Sequence, residues 1–497
     1  MRRRELFKLS AGTTAAMLLS QCSRDVPGGD TSIKTSAPVQ FQKISGSNGL
    51  LSLDLEAKPQ RVQLGDINAN LLAYNGTVPG PLLEASPGDR IQIRFTNGLS
   101  QPTNIHYHGL HIPPDVDNVF LKISPGEQHT YEFQIPDNHL AGTFWYHPHK
   151  HGLVAEQLFG GLAGLFIVRG QLDEIPEIKA AEESFVVLKD FALDRSGNIA
   201  DTGHMAAMTG RAGGLLTASG QINPEMPIKR GGLARLRLLN ASPSRFYRLS
   251  LEEHTMHLIA TDGGAIASPV ELSNVVLAPG ERVEVLVQGN QAPGNYRLIN
   301  QPFNPAQGGM MNGMMGGNQS SDRSETVATL VYGRETDKRG TDKSKTEEDK
   351  TQEASLPSEL IPVALLPEPN KTRQFALNHG MGDMIGGGMV FLINGKAFDP
   401  SRTDTQVKLD TTEDWEITNT GSMAHPFHIH TNKFQIVSQN GQNAPYVAWK
   451  DVVLVSPGET VRLRIAFRDY IGKTVYHCHV LDHEDRGMMG ILEIQQT

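Results

Sequence analysis

A chain of 497 residues has room for about three domains of ordinary size, each able to bury its own core. A net charge of −9 argues against nucleic acid as a partner, because phosphate binding asks for clustered Lys and Arg. With 50 glycines and 29 prolines punctuating short β-rich runs such as RIQIRFTNG and RVEVLVQGN, the class reads as all-β sandwiches.

Residues 1–22 begin basic and continue through a short, mildly apolar stretch, the pattern of a cleaved export signal rather than a membrane span. Arg3 and Arg4, followed by ELFK, look like a twin-arginine signal, so export of a folded protein to a bacterial periplasm is expected. LSQC, ending at Cys22, weakly resembles a lipoprotein cleavage box, but Gln21 is unusual before the cysteine, and a lipid anchor is the lesser alternative. Cys22 and Cys478 are the chain's 2 cysteines, so no intrachain disulfide network holds the mature domains together.

Residues 23–40 read as a linker, and 41–170 as a first domain. It carries IQIRFTNG, then NIHYHGL with His106 and His108, PPDVDNVF with Asp117, ISPGEQHTYEF, and FWYHPHKHG with His147 and His149. Residues 171–335 form a second domain with ARLRLLNA, HTMHLIATDG and LAPGERVEVLV, closed by the methionine- and glycine-rich GGMMNGMMGGNQSS. Residues 336–356, charged and poor in large apolar side chains, read as a flexible linker. The third domain, 357–497, opens with NHGMGDMIGGGM and continues through DWEITNTG, AHPFHIH, VSPGETVRLRI and YHCHVLDHEDRGMM.

The order of these pieces is a repeat. Pro-Gly-Glu precedes an alternating strand at Glu127, Glu281 and Glu459, and upstream of each a strand ends near Asn97, Asn240 or Asn419. Aligning the first and third modules places Thr103 opposite His425, Pro148 opposite Cys478, Leu153 opposite His483 and Leu158 opposite Met488. In the second module HTMHLIATDG is the matching stretch, with Ile259 for the last histidine and no His-Cys-His after it, so His254 and His257 read as structural. Metal sites should therefore be built by modules one and three and lie between them.

The metal reading rests on strand geometry. In extended chain around His477–Cys478–His479 the two imidazoles face one way and the thiol the other. Cys478, His483 and Met488 match the soft ligand set of a blue-copper centre lacking only a second histidine. His106/His108, His147/His149, His428/His430 and His477/His479 form four pairs, making eight imidazoles available for a shared cluster and leaving His425 as the missing blue-copper ligand. Eight nitrogens divide among three metal ions as two, three and three.

Together, His-x-His-Gly, His-x-His, His-x-x-His-x-His and His-Cys-His-x-x-x-His resemble the three-domain multicopper oxidases, the laccase and cuprous oxidase family, over nearly the whole mature chain. The resemblance implies three cupredoxin-like Greek-key β-sandwich domains and four copper ions, with the trinuclear cluster between domains one and three. It implies type 1 copper on His425, Cys478, His483 and axial Met488, and type 2 on His106 and His428. It implies type 3 coppers on His108, His147 and His479, and on His149, His430 and His477. Asp117 and Glu484 match family positions associated with proton delivery, a role that oxygen reduction requires.

The reaction this implies is one-electron oxidation of a donor coupled to four-electron reduction of O2 to water, by a monomer. Cu(I) is the favoured donor, in keeping with copper homeostasis, because the methionine-rich runs offer soft thioethers. Met423 lies two residues before His425, where the cuprous oxidase branch holds substrate copper, but the aspartate that branch has four residues before is here Gly421. Asp383 could supply the absent charge. A laccase for phenolic donors is the alternative. A copper nitrite reductase typically has two domains and no such cluster, and a copper-free envelope assembly protein would show eroded ligands where all twelve stand here.

Overall fold

The computed structural model describes residues 35–304, 323–333, 354–381 and 388–496. The export signal, Cys22, the methionine-rich run at 310–315, residues 336–353 of the charged linker and Asp383 lie outside the described residues. No helix among the described residues is long and apolar enough to cross a membrane.

Alternation builds the strands. In Arg90–Asn97 the buried residues are Ile91, Ile93, Phe95 and Asn97, every second position, so one face of the strand makes core and the other meets solvent. Among the described residues, strands of this kind assemble into six sheets, two in each of three sandwiches. In the first, Ile67–Tyr74, Leu50–Leu64, Arg90–Asn97 and Gln128–Gln134 face Lys43–Ser45, Gly80–Ala85, Gly164–Val168, Gly142–His147 and His106–His108. The third pairs a six-stranded sheet centred on Thr411–Asn419 and Thr460–Phe467 with the order Thr405–Lys408, Met489–Gln495, Gly472–Cys478, His425–Ile429, Val452–Val455. The second repeats that plan, its five-stranded sheet running Glu225–Ile228, Glu325–Tyr332, Asn295–Asn300, Tyr247–Leu251, Val275–Leu277. The chain is an all-β protein of three cupredoxin-like sandwiches.

The repeated asparagine and Pro-Gly-Glu turn form the same lock three times. Asn97, Asn240 and Asn419 each donate twice through Nδ2: Asn97 to Gln101 O and Ile123 O, Asn240 to Arg245 O and Leu277 O, and Asn419 to Met423 O and Val455 O. Glu127, Glu281 and Glu459 each accept, at 2.7–2.8 Å, the N–H three residues upstream, closing the turn. Each asparagine N–H also donates to the carbonyl of that glutamate. One corner thus fixes where the next strand begins.

That corner corrects the second module. His106 and His428 lie nine residues after their asparagines, His108 and His430 eleven; the same offsets from Asn240 reach Leu249 and Leu251. Tyr247–Leu251 holds the place in its sheet that His425–Ile429 holds in the third sandwich, whereas Met256–Thr261, which follows His254, belongs to the opposite sheet. HTMHLIATDG is therefore not the ligand strand's counterpart. His254 is held by Glu252 O and Tyr332 Oη at 2.6 and 2.7 Å, a structural setting.

Asn240 tests the lock away from any metal ligand. Asn240→Ala would orphan two carbonyls and the Ser242 N–H in a fully buried corner. The expected loss of unfolding free energy is about 3 kcal/mol, from about 1 kcal/mol per orphaned group. Urea unfolding of the copper-free protein measures it, and a loss under about 1 kcal/mol would mean the corner is not what fixes the strands.

Candidate metal centre

Cross-strand register brings the histidines together. His106 pairs with His147 between two strands of the first sandwich, and His428 pairs with His477 between two of the third. Alternation does the rest: Tyr107 points into the first core against Phe133, while His106 and His108 project from the other face with ring centres 5.3 Å apart. All eight paired histidines are buried. Rings from the two sandwiches stack on one another, His106 on His430 at 3.7 Å and His108 on His428 at 3.9 Å.

Six of the eight rings are aimed by a bond from an outward nitrogen. Asp117 accepts from His106 Nδ1 at 2.9 Å and from His430 Nδ1 at 3.2 Å, so one carboxylate orients a ring from each sandwich. His147 Nδ1 donates to Pro148 O, His477 Nδ1 to Cys478 O and His428 Nδ1 to Asp451 O, at 2.7–3.0 Å. His108 is bonded through its other nitrogen, Nε2 donating to Asp451 Oδ1 at 3.0 Å. These bonds fix the tautomers and leave His106 Nε2, His108 Nδ1, His147 Nε2 and His428 Nε2 buried without a hydrogen-bond partner.

The inward nitrogens converge. His149 Nε2 and His430 Nε2 stand 3.2 and 3.1 Å from His477 Nε2. With protons on their Nδ1 atoms, His430 and His477 face each other as lone pairs that cannot bond one another. A cation satisfies that arrangement, and it is the arrangement a metal's donor set requires. Ligand atoms of His106, His108 and His147, and of His149, His430 and His477, lie within 4.8 Å of one another. His479, with both ring nitrogens unpartnered, lies 5.0 Å from the His108 ring and 5.7 Å from His147.

A separate centre sits on the other face of the same strand. Cys478 Sγ lies 3.4 Å from His425 Nδ1 and 3.7 Å from His483 Nδ1, and the two nitrogens are 3.2 Å apart. His483 Nε2 donates to Met208 O at 3.1 Å, and its ring stacks on Phe391 at 3.8 Å. Met488, fully buried, donates its N–H to His483 O and accepts from Cys478 N. Met423, half-buried, lies two residues before His425 against the third core.

Burial sets the charges. Desolvation holds all ten of these imidazoles below the ordinary histidine value, His425 at about 3 and His477 at about 4, so they are neutral donors at pH 7. It pushes the Cys478 thiol up, and it raises Glu484 well above the carboxylate range. Glu484 lies beside the cluster, Oε2 3.3 Å from His477 Nδ1 and Oε1 3.7 Å from His149 Nδ1.

Two residues at the centre escaped the sequence reading. Asp451 accepts from His108 and bears the carbonyl that receives His428, and Arg282 of the second sandwich grips its carboxylate. The available signal was the glycine after His-x-His: Gly109 has φ +85°, and a Cβ there would lie 2.5 Å from Asp451 Oδ2.

Family models described as multicopper oxidase match residues 56–173, 184–335 and 367–497. A multicopper oxidase of Staphylococcus haemolyticus is 30% identical over 459 residues, covering 90% of this chain and 89% of that one. A multicopper oxidase from Campylobacter jejuni, described as a metallo-oxidase, superposes with TM-score 0.78 at 30% identity, over 94% of this chain and 95% of the other. The cell division protein FtsP of Proteus mirabilis is 28% identical over 444 residues, 86% of each chain.

Ten depressed imidazoles make the copper-free fold acid-sensitive. The unfolded chain protonates its histidines near pH 6.5 while the folded chain does not, so stability is intact above that value. It should fall by about 1.4 kcal/mol per pH unit for each such histidine below it, until the folded values are reached. The urea midpoint of the copper-free protein should drop steeply from pH 7.5 to 5.5. A flat profile would mean that the rings are not desolvated.

Proposed function

The chain belongs to the multicopper oxidase family, and from that premise we propose that it couples one-electron oxidation of a donor, with Cu(I) favoured, to four-electron reduction of O2 to water. The observation that carries the reading is the gathering of buried imidazole nitrogens that either lack a hydrogen-bond partner or face one another at 3.1–3.2 Å, beside a separate Cys478, His425 and His483 triad. By position, His425, Cys478, His483 and Met488 would hold type 1 copper, and His106 and His428 type 2. His108, His147 and His479, and His149, His430 and His477, would hold the two type 3 ions. Copper at these positions supplies reversible one-electron chemistry and a site for O2.

The chain's own residues do the rest. Cys478 gives a covalent connection from its sulfur through its backbone to His477 and His479, so the two centres are joined by a few bonds. Glu484, in reach of His149 and His477 and shifted by burial toward its protonated form, would hold a proton where oxygen needs one, and Asp117 keeps His106 and His430 aimed while offering a second acceptor. Buried aromatic and aliphatic side chains, Trp145 among them, keep water from the rings. An exported, periplasmic setting belongs to the same proposal. A copper-free envelope assembly role is disfavoured by twelve intact ligand positions, although a cell division protein is among the similar chains.

The donor reading rests on the edge of the type 1 triad. Met423 flanks His425, and Gly421 stands where a carboxylate would have helped hold a cation. A Cβ at Gly421 would lie 3.1 Å from His379 Nδ1, a ring nitrogen with no hydrogen-bond partner. His379 thus offers an imidazole in the carboxylate's place, a borderline-soft ligand for Cu(I) beside a soft thioether.

Cys478→Ser should abolish the intense blue absorption while leaving the type 2 spin signal, with turnover near background; retained blue colour would sink the assignment. Met423→Leu combined with His379→Leu should lower kcat/KM for Cu(I) about tenfold while a phenol keeps its rate, the loss of two soft ligands touching only the cation. Equal losses for both donors would make this a laccase for organic substrates.

A further inference from the structure

We propose that Arg282, from the sandwich that supplies no metal ligand, positions the trinuclear site by clamping Asp451, and that this clamp selects the nitrogen His108 presents. The inference rests on the copper reading only for what the rings hold; the bonds stand without it.

Every N–H of Arg282 is spent. Nη1 donates to Asp451 Oδ1 and Gly280 O at 2.6 and 3.1 Å, Nη2 to Asp451 Oδ2 and Asp262 O at 2.6 and 2.7 Å, and Nε to Thr143 O at 2.9 Å. The partners come from all three sandwiches: Thr143 from the first, Gly280 and Asp262 from the second, Asp451 from the third. The carboxylate is therefore gripped at both oxygens in a plane the guanidinium dictates. From that plane Oδ1 receives His108 Nε2 at 3.0 Å, while the Asp451 carbonyl receives His428 Nδ1 at 2.7 Å. One residue thus aims a type 3 ligand with its side chain and a type 2 ligand with its backbone.

The consequence is specific to His108. Of the cluster rings bonded outward to oxygen, His106, His147, His428, His430 and His477 do so through Nδ1 and offer Nε2; His108 alone does so through Nε2 and offers Nδ1. A fully buried ion pair is weak evidence for stability, since apolar residues of similar volume often serve as well. What apolar residues could not supply is a directional acceptor at Nε2. The second sandwich also closes on the cluster at Gly280, φ +86°, where a Cβ would lie 2.9 Å from the His479 ring. Gly109 completes the device, because a side chain there would collide with Arg282 and crowd Asp451 Oδ2.

Three variants test the clamp from three sides: Arg282→Met, Asp451→Asn and Gly109→Ala. Each should keep the blue absorption per protein yet change the type 2 hyperfine splitting, lower type 2 occupancy by spin counting, and cut turnover by about 10- to 100-fold. In copper-free protein labelled with 15N-histidine, the His108 Nε2–H resonance should be protected from solvent exchange in the parent and lose that protection in Asp451→Asn. Protected His108 with a parent that binds no copper would leave the clamp standing and sink the copper reading. Wild-type type 2 splitting and full turnover in all three variants would overturn the clamp. So would a parallel loss of blue and type 2 signals in every variant, which would reduce Arg282 to domain packing.

Discussion

Eight neutral imidazoles facing one another in a buried interior are the constraint on which the rest of this structure depends. Inward lone pairs cannot satisfy each other, so the cluster needs its rings held in place from outside and would be completed by a cation. The outward bonds answer the first need. They run to Asp117, Asp451 and the carbonyls of Pro148 and Cys478, and each consumes the nitrogen that would otherwise compete for the interior. Burial answers a second, since it keeps the rings unprotonated and so free to act as ligands.

Building such a site between two sandwiches rather than inside one follows from strand geometry. A strand offers imidazoles on one face only at alternate positions, so one sheet supplies two adjacent pairs and no more. Two sheets face to face supply four. The second sandwich, with Leu249 and Leu251 at the ligand offsets, cannot contribute donors. Its repeated turn geometry delivers Gly280 and Arg282 to the junction, the same Pro-Gly-Glu turn that in its sisters only closes a corner.

The parts legible in the sequence were those with fixed spacing. His-x-His and His-Cys-His need only alternation to be read; the structure buries the eight paired histidines together and sets His425, Cys478 and His483 side by side, with Met488 bonded through its backbone to His483 and Cys478. The triplicated asparagine and Pro-Gly-Glu were equally visible. Asp451 and Arg282 were not, because their partners are 343 and 169 residues away in sequence and no local pattern marks a buried acid from an exposed one. The second module was misaligned because His254 and His257 reproduce a ligand spacing by coincidence; the offset from Asn240, which carries hydrogen bonds, was the better ruler.

The two centres also differ in how burial acts on them. At the histidine cluster desolvation favours the neutral form, which is the form that binds metal, so the site waits in a competent state. At Cys478 the same desolvation favours the thiol, which is not the ligand form, and the sulfur's one backbone donor, Val480 N at 3.4 Å, is too weak to offset it. A cation must therefore displace a proton at the mononuclear centre but not at the cluster. The strand that joins them places the proton-dependent step and the proton-independent one on adjacent residues, with the buried Glu484 one residue beyond His483.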